Sequence, residues 1–233
     1  MGTKATVAKA ALVCLAMGVS VAGCANDTTA EKPSAGQLLD NANHTMSALR
    51  SVTIDTHTGA TAMDGYYNHV TTDLKSTCAS TTTWSTGGAR FDQIRIGGTD
   101  YIRPNRAYLE LAGKKMAGTK EQSRWIRTPA DEADEKDGVT DCKWPFASFG
   151  TATKGEPTKV DGSPAIPLVV TDKADEGGSY TFYVATEGKP YILKVDYKSA
   201  ARRSTTSFSA FDKPLEVRPP ARADVLDGSA AGH

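Results

Sequence analysis

Tyr180-Thr-Phe-Tyr-Val-Ala185 and Tyr191-Ile-Leu-Lys-Val-Asp-Tyr197 flank Thr186-Glu-Gly-Lys-Pro190. Both flanks are β-branched or aromatic at nearly every second position, and the centre holds Gly and Pro, so the stretch reads as a β-hairpin. The same period of two extends outward. Upstream, Ala165–Thr171 places Ile166, Leu168 and Val170 on one face, and Asp161-Gly162 turns it back onto Lys159-Val160. Downstream, Ser204-Thr-Thr-Ser-Phe-Ser-Ala-Phe-Asp212 alternates more weakly. The C-terminal half is therefore antiparallel sheet.

The N-terminal half repeats the pattern. Val52-Thr-Ile-Asp-Thr-His57 alternates, His69–Trp84 reads as one long Thr-rich strand, and Gly87-Gly88 turns into Arg90-Phe-Asp-Gln-Ile-Arg-Ile96. Gly97-Gly98 turns into Tyr101-Ile-Arg103, and Pro104-Asn105 into a further strand, Ala107-Tyr-Leu-Glu-Leu111. Between the halves, Lys114–Asp141 is charged and poor in apolar residues. Trp125 and Ile126 are its exceptions and predict a short helix around 121–127, while Ala130–Gly138 reads as an acidic surface loop. Trp144-Pro-Phe-Ala-Ser-Phe149 is an apolar cluster beside Cys142, either a second patch of core or the mouth or lid of a cavity.

One helix precedes all of this. Ser34-Ala-Gly-Gln37 has the form of a capping box, and Leu38, Leu39, Ala42, Met46, Leu49 and Val52 follow at helical spacing. A single amphipathic helix over about 35–50 is too small to cover a flat sheet of roughly nine to eleven strands. The expectation is an α+β fold: a strongly curved antiparallel β half-barrel, with the N-terminal amphipathic helix and short helices packed on its concave side. A cavity belongs on that side.

Residues 1–23 carry Lys4 and Lys9 and then the apolar run Ala10–Val21, too short for a hydrocarbon layer of about 30 Å. The run ends in Val21-Ala22-Gly23-Cys24, which resembles the bacterial lipobox. That resemblance implies a signal peptide over 1–23, diacylglyceryl on the Cys24 thiol, and a protein anchored by lipid to the extracytoplasmic face of the cell membrane. Residues 24–35 then form a lipidated flexible tether, whose roughly 11 residues reach about 20 Å. The folded domain spans 36–227, and 228–233 is a disordered tail.

Basic and acidic residues number 27 each. Without Lys4 and Lys9 the balance is slightly acidic, which argues against nucleic acid as a partner and against a polybasic membrane clamp. Once Cys24 is assigned to the anchor and Cys14 lies in the leader, Cys78 and Cys142 remain, either as a disulfide favoured by an oxidising compartment or as two buried thiols. No Cys-x-x-Cys occurs, and His44, His57, His69 and His233 show no ligand spacing, so no metal or other cofactor is expected. Gly-x-Ser-x-Gly, Ser-x-x-Lys and His-Glu-x-x-His are absent, and Asp131, Glu132, Asp134 and Glu135 lie in a polar loop that would not raise a carboxyl pKa. No enzyme is expected. Arg202-Arg203, before the last strand, reads as sheet-edge charge or as a contact for lipid headgroups.

The order of lipobox, polar tether, helix with Leu38-Leu39 and Leu49, Gly97-Gly98-Thr-Asp-Tyr-Ile102, the Tyr183–Tyr191 hairpin and Ser207-Phe-Ser-Ala-Phe-Asp-Lys-Pro214 resembles actinobacterial lipoproteins of the LppX/LprG type, which share the LolA/LolB-like half-barrel. The resemblance covers about residues 35–227. It implies a hydrophobic cavity that holds an acyl-chain or glycolipid ligand, and a role in carrying lipids or lipidated molecules across the envelope. Candidate lining comes from the helix (Leu38, Leu39, Ala42, Met46, Leu49), from the first meander (Phe91, Ile94, Ile96, Tyr101, Ile102) and from the second (Leu168, Val170, Phe182, Val184, Ile192, Val195). About half of these serve as ordinary core. The competing expectation is the same fold with a filled core, acting as a monomeric envelope interaction or signal-modulating protein.

Overall fold

The computed structural model describes residues 32–60, 65–113, 124–131 and 139–227. The leader, Cys24, the tether up to residue 31, most of the acidic loop and the 228–233 tail lie outside the described residues.

A helix, α1 (Ala35–Ser47), leads into a first meander: β1 (Val52–Ala60), β2 (Tyr66–Thr72), β3 (Thr77–Trp84), β4 (Arg90–Ile96) and β5 (Thr99–Pro104). A short helix, α2 (Arg106–Leu111), and β6 (Trp125–Pro129) follow. The second meander holds β7 (Thr151–Lys154), β8 (Thr158–Val160), β9 (Ser163–Thr171), β10 (Ser179–Ala185), β11 (Ile192–Lys198) and β12 (Arg202–Ser209), and β13 (Val225–Asp227) ends it. All thirteen strands form one curved, unclosed sheet in the order β13-β6-β5-β4-β3-β2-β1-β12-β11-β10-β9-β7, with β8 on β9. Every pairing is antiparallel except β13 on β6.

Local chemistry explains the elements. Ser34 Oγ accepts from the Gln37 N–H, and Gln37 Oε1 accepts from the Ser34 N–H, so both ends of the capping box are made. At the β8–β9 turn, Asp161 and Gly162 both take positive φ, 48° and 83°. That is the Asp-Gly geometry whose twist matches two antiparallel strands.

The structure departs from the sequence reading in three places and decides between its alternatives in a fourth. Ala107–Leu111 is helix, not strand: Asn105 caps it by accepting from the Tyr108 N–H at 2.8 Å, and only Tyr108 and Leu109 are buried. Trp125 and Ile126 lie in β6, where Ile126 pairs with Ile102, and not in a helix. The run 69–84 is two strands, because the Asp73 carboxylate accepts from the N–H groups of Lys75, Ser76 and Thr77 and forces a turn through Leu74 at φ 61°. Phe146 and Phe149 pack on the main core and form no second patch.

That core lies on one face of the sheet. Leu39, Ala42 and Met46 of α1 meet Ile54, Val70, Leu168, Val170 and Val184. Each large apolar side chain so buried is worth ~1.5–3 kcal/mol. A smaller cluster of Ala89, Phe91 and Tyr108 lies under α2. The disulfide Cys78–Cys142 ties β3 to the irregular segment that follows it 64 residues later. On the opposite face, Asp92 is gripped by Arg90, Thr81 and Arg103 at 2.8–3.1 Å.

Two predictions follow from this frame. Replacing Cys78 and Cys142 by Ser removes a cross-link worth ~4 kcal/mol on the loop-entropy account. Scanning calorimetry should record a fall in Tm of roughly 8–16 °C; no change would mean that the unfolded chain is not restrained by the bond. The second concerns acid. Burial alone raises the Asp92 carboxyl, but hydrogen bonds from Arg90, Thr81 and Arg103 outweigh it and hold it below its ordinary 3.8. A folded value below the unfolded one stabilises fully above 3.8, and the stabilisation is lost as pH falls through the folded value. Between about pH 5 and pH 3, the urea midpoint should drop less for Asp92→Asn than for the parent.

Candidate functional site

Strands β10, β11 and β12 turn a row of side chains toward the core face. Register sets Tyr180 opposite Tyr197 and Phe182 opposite Val195, and on the next ladder Val195 opposite Thr206 and Tyr197 opposite Ser204. Period two then brings Phe208 to the same face. Over this row runs a strap, residues 142–149, which has no helix or strand of its own.

Polar clamps hold the strap. Its Cys142 carbonyl accepts from Thr72 Oγ1 at 2.5 Å, Phe146 O accepts from Ser47 Oγ at 3.3 Å, and Asn43 Nδ2 donates to Ser148 Oγ at 3.0 Å. Just ahead of it, Gln93 exchanges two hydrogen bonds with the Thr140 backbone, at 2.7 and 3.1 Å. Gln93 also meets Asp100, which Arg95 binds through both carboxylate oxygens at 2.8 and 2.6 Å.

Aromatic edges complete the enclosure. Phe149 stands edge-on to Tyr180, with ring centroids 4.9 Å apart, and to Phe182 at 5.9 Å; Phe146 and Trp144 both meet Phe208 at 5.8 Å. Between strap and sheet a cavity of about 210 Å³ remains. Its floor is Phe182, Ile192, Val195 and Phe208; its roof is Trp144, Phe146 and Phe149. Few polar groups enter it: Asn43, Ser204, Thr206 and the two phenols of Tyr180 and Tyr197. Both phenols donate to Asp175, and burial followed by that hydrogen bond raises the Tyr180 pKa, so Tyr180 stays neutral. Beyond Trp144, which is 39% exposed, lies a wetter concavity of about 370 Å³ floored by Thr56, Asn68 and Thr82. The arrangement can solvate an apolar chain. It offers no nucleophile with an adjacent base.

The candidate residues separate by location. Phe182, Ile192 and Val195 line the cavity. Leu39, Ala42, Met46, Leu49, Leu168, Val170 and Val184 are packed core, with Leu38 against it. Phe91 is in the cluster under α2, and Ile102 packs on that cluster. Ile94, Ile96 and Tyr101 are half-buried and, by alternation with Phe91 and Gln93, fall on the other face. Tyr180, Tyr197, Thr206 and Phe208 were missing from the candidate set, although counting by two from Phe182 and Val195 reaches the first two. Asn43 carries no sequence signal beyond being polar on an apolar helix face.

Other titratable groups lie apart from the cavity. Asp55 Oδ1 accepts from Tyr67 OH at 2.5 Å and lies 2.7 Å from His69 Nδ1. The Asp55 bond pushes the Tyr67 phenol up to about 12. Glu132, Asp134 and Glu135 lie outside the described residues. Among the described residues no group of three or more His, Cys, Asp or Glu is placed to hold a metal, and no helix is long and apolar enough to cross a membrane.

The curved, unclosed sheet has counterparts among solved structures. LprF from Mycobacterium bovis matches with a TM-score of 0.55 at 12% identity, over 80% of this chain and 97% of that one. LppX, a lipoprotein of Mycobacterium tuberculosis, matches at 0.44 and 12% identity over 78% and 97%, and a LolA superfamily protein from Nitrosomonas europaea at 0.29 and 11% over 82% and 97%. The likeness to LprF shows a shared fold. No protein-family model matches the sequence, and no curated protein matches it.

Asn43 is 5% exposed, and its amide clamps the strap from the helix. Asn43→Ala should cost about 1 kcal/mol, one net hydrogen bond. Guanidinium titration should show a lower midpoint at unchanged slope, and hydrogen exchange should rise across residues 145–149 first; a uniform rise over the sheet would remove the clamp role.

Proposed function

We propose that this chain is a lipoprotein of the extracytoplasmic membrane face, anchored by diacylglyceryl on Cys24, that binds a lipid or lipidated molecule by one acyl chain in the cavity under the strap. The observation that carries the reading is an aromatic-lined cavity between the strap and an otherwise close-packed core. Native interiors rarely leave such space empty of purpose. The volume, about 210 Å³, is below the ~300–1,000 Å³ of sites that enclose a whole drug-sized ligand, so the void suits a segment of one chain. Binding is by desolvation alone, at ~0.8 kcal/mol per buried methylene, with no covalent step, no cofactor and no nucleic acid. A tether reaching about 20 Å keeps the handling of cargo near the membrane surface. The protein acts as a monomer and passes cargo on without chemistry.

One observation favours a second reading. Leu39, Ala42, Met46, Leu168 and Val170 close the helix–sheet interface at 0–2% exposure, so a filled-core envelope interaction protein would look the same everywhere but under the strap.

Native mass spectrometry separates the two. The full chain carrying Cys24→Ser, and hence no acyl group of its own, is expected to show a co-purified lipid or to take up palmitate one to one. Val195→Phe, which projects a ring into the void, should weaken palmitate at least ~10-fold while keeping the fold, since a lost chain segment of two or more methylenes accounts for that factor. A clean apo mass with no uptake would reject lipid binding and leave the filled core.

A further inference from the structure

The concavity beyond Trp144 differs in chemistry from the cavity under the strap. Its floor is a row of neutral polar side chains set by register. Thr56 stands opposite Asn68, and Asn68 opposite Thr82, on the ladders that join β1, β2 and β3. Alternation puts Thr56 and Asn68 on the face that carries the core residues Ile54 and Val70. One step further along the same face, Tyr66 stands opposite Trp84. These two rings and Trp144 give the concavity aromatic walls. Its volume, about 370 Å³, falls within the ~300–1,000 Å³ of small-molecule sites. Among the described residues that line it, none carries a charge.

The floor keeps hydrogen-bonding capacity to spare. Asn68 Nδ2 donates to Thr82 Oγ1 at 2.6 Å, and among the described residues this is the one bond its side chain makes. A primary amide has two donors and a carbonyl acceptor, so one N–H and the carbonyl of Asn68 are left over. Thr82 accepts there and keeps its own hydroxyl proton. The hydroxyls of Thr56 and Thr206 lie 3.2 Å apart, a pairing that uses one of their two protons. The walls are fixed from behind: Trp84 packs on Tyr108 with ring centroids 5.0 Å apart, and Trp144 meets Phe208 edge-on at 5.8 Å while staying 39% exposed. Trp144 lines both hollows, and Thr206 of the cavity is the hydroxyl partner of Thr56 on the concavity's floor. The two spaces are neighbours across one indole and one pair of hydroxyls.

This lining selects by exclusion as well as by fit. An apolar chain would strip water from the amide and hydroxyls and give them no partner. A phosphate or carboxylate would meet no cation in the described lining, and a cation no carboxylate. A sugar ring satisfies both surfaces. Its hydroxyls match the amide and the threonines, and its C–H faces, weakly positive, suit the negative face of an aromatic ring. We propose that the concavity is a saccharide site for one neutral pyranose, with its hydroxyls on Thr56, Asn68 and Thr82 and a C–H face against Trp144. The site goes beyond the acyl-chain reading and stands without it. The same ring chemistry serves a free glycan or the head of an amphiphile whose chain passes Trp144.

Saturation-transfer NMR on the full Cys24→Ser chain tests this, with the methyl glycosides of glucose, galactose and mannose as probes. At least one should receive saturation at its ring protons. Asn68→Leu, which keeps the bulk and removes the amide, should weaken that glycoside at least ~10-fold, the size of two neutral hydrogen bonds. Trp144→Ala should weaken it at least ~3-fold, and Trp144→Phe, which restores an aromatic face, should recover most of the loss. The Trp144 pair changes a partly exposed side chain, so it decides the matter even where Asn68→Leu fails to fold. Transfer to none of the three glycosides, or transfer that neither Asn68→Leu nor Trp144→Ala reduces, overturns the site; palmitate uptake then decides the acyl-chain reading separately. The dodecyl glycoside of the sugar that binds, kept below its micelle-forming concentration, separates the two sources. Tighter binding than the methyl glycoside, lost in Val195→Phe, assigns the ring to an amphiphile; equal binding assigns it to a free glycan. Either result supports the saccharide site.

Discussion

The ladder between β1 and β12 carries the architecture. Eight residue pairs, from Thr53 with Ser209 to Ala60 with Arg202, join segments that are far apart in the chain; Thr56 and Thr206, whose hydroxyls lie 3.2 Å apart across it, are separated by 150 residues. Every other antiparallel pairing in the two meanders could form locally, within a hairpin or its neighbour. Only this one makes a single sheet of two, and it costs loop-closure entropy that the local turns do not. Because it fixes register, it also fixes which residues of β12 face the core. A slip by one residue would turn Phe208, Thr206 and Ser204 to the other face and bring Ser207 and Thr205 inward, leaving Ile54 and Val70 without their apolar neighbour.

A second long-range constraint determines that the core is roofed and not merely covered. α1 packs against the second meander, so the apolar face of β10–β12 beyond the helix needs another cover. The strap supplies it, although residues 142–149 have no ladder or helical turns to hold them. What holds them is one covalent bond to β3 and five hydrogen bonds, one each with the side chains of Thr72, Ser47 and Asn43 and, through nearby Thr140, two with Gln93. A segment fixed at a few points does not settle into a groove as closely as a regular element, which is a physical reason for the void beneath it. The cavity and the disulfide are thus consequences of the same choice of cover.

The legible and illegible parts of the sequence divide along this line. The hairpin at Tyr180–Tyr197, the Asp161-Gly162 turn and the Ser34–Gln37 box were readable because each is settled within a few residues. Ala107–Leu111 is ambiguous because its alternation is also consistent with one helical turn, and the deciding group, the Asn105 side chain, reads equally as a turn residue or as a cap. Asp73 was overlooked inside a Thr-rich run, yet its one carboxylate divides that run in two. For the site the difficulty was different. The apolar residues of the helix and of β9 looked like cavity lining, but hydrophobicity alone does not distinguish a wall from a filling. What makes Phe182 and Val195 wall is that the strap above them is aromatic and irregular, a fact about another part of the chain.

The polarity gradient along β12 follows from where the strand leaves the core. A strand buried at one end and open at the other normally loses apolar character toward the solvent, so hydroxyls at Thr206 and Ser204 followed by Arg202 would suit any sheet edge. Protection of a free edge is not its cause. Cations at a free edge repel pairing partners, yet β12 is a central strand with β1 on one side and β11 on the other, so no edge there needs protecting.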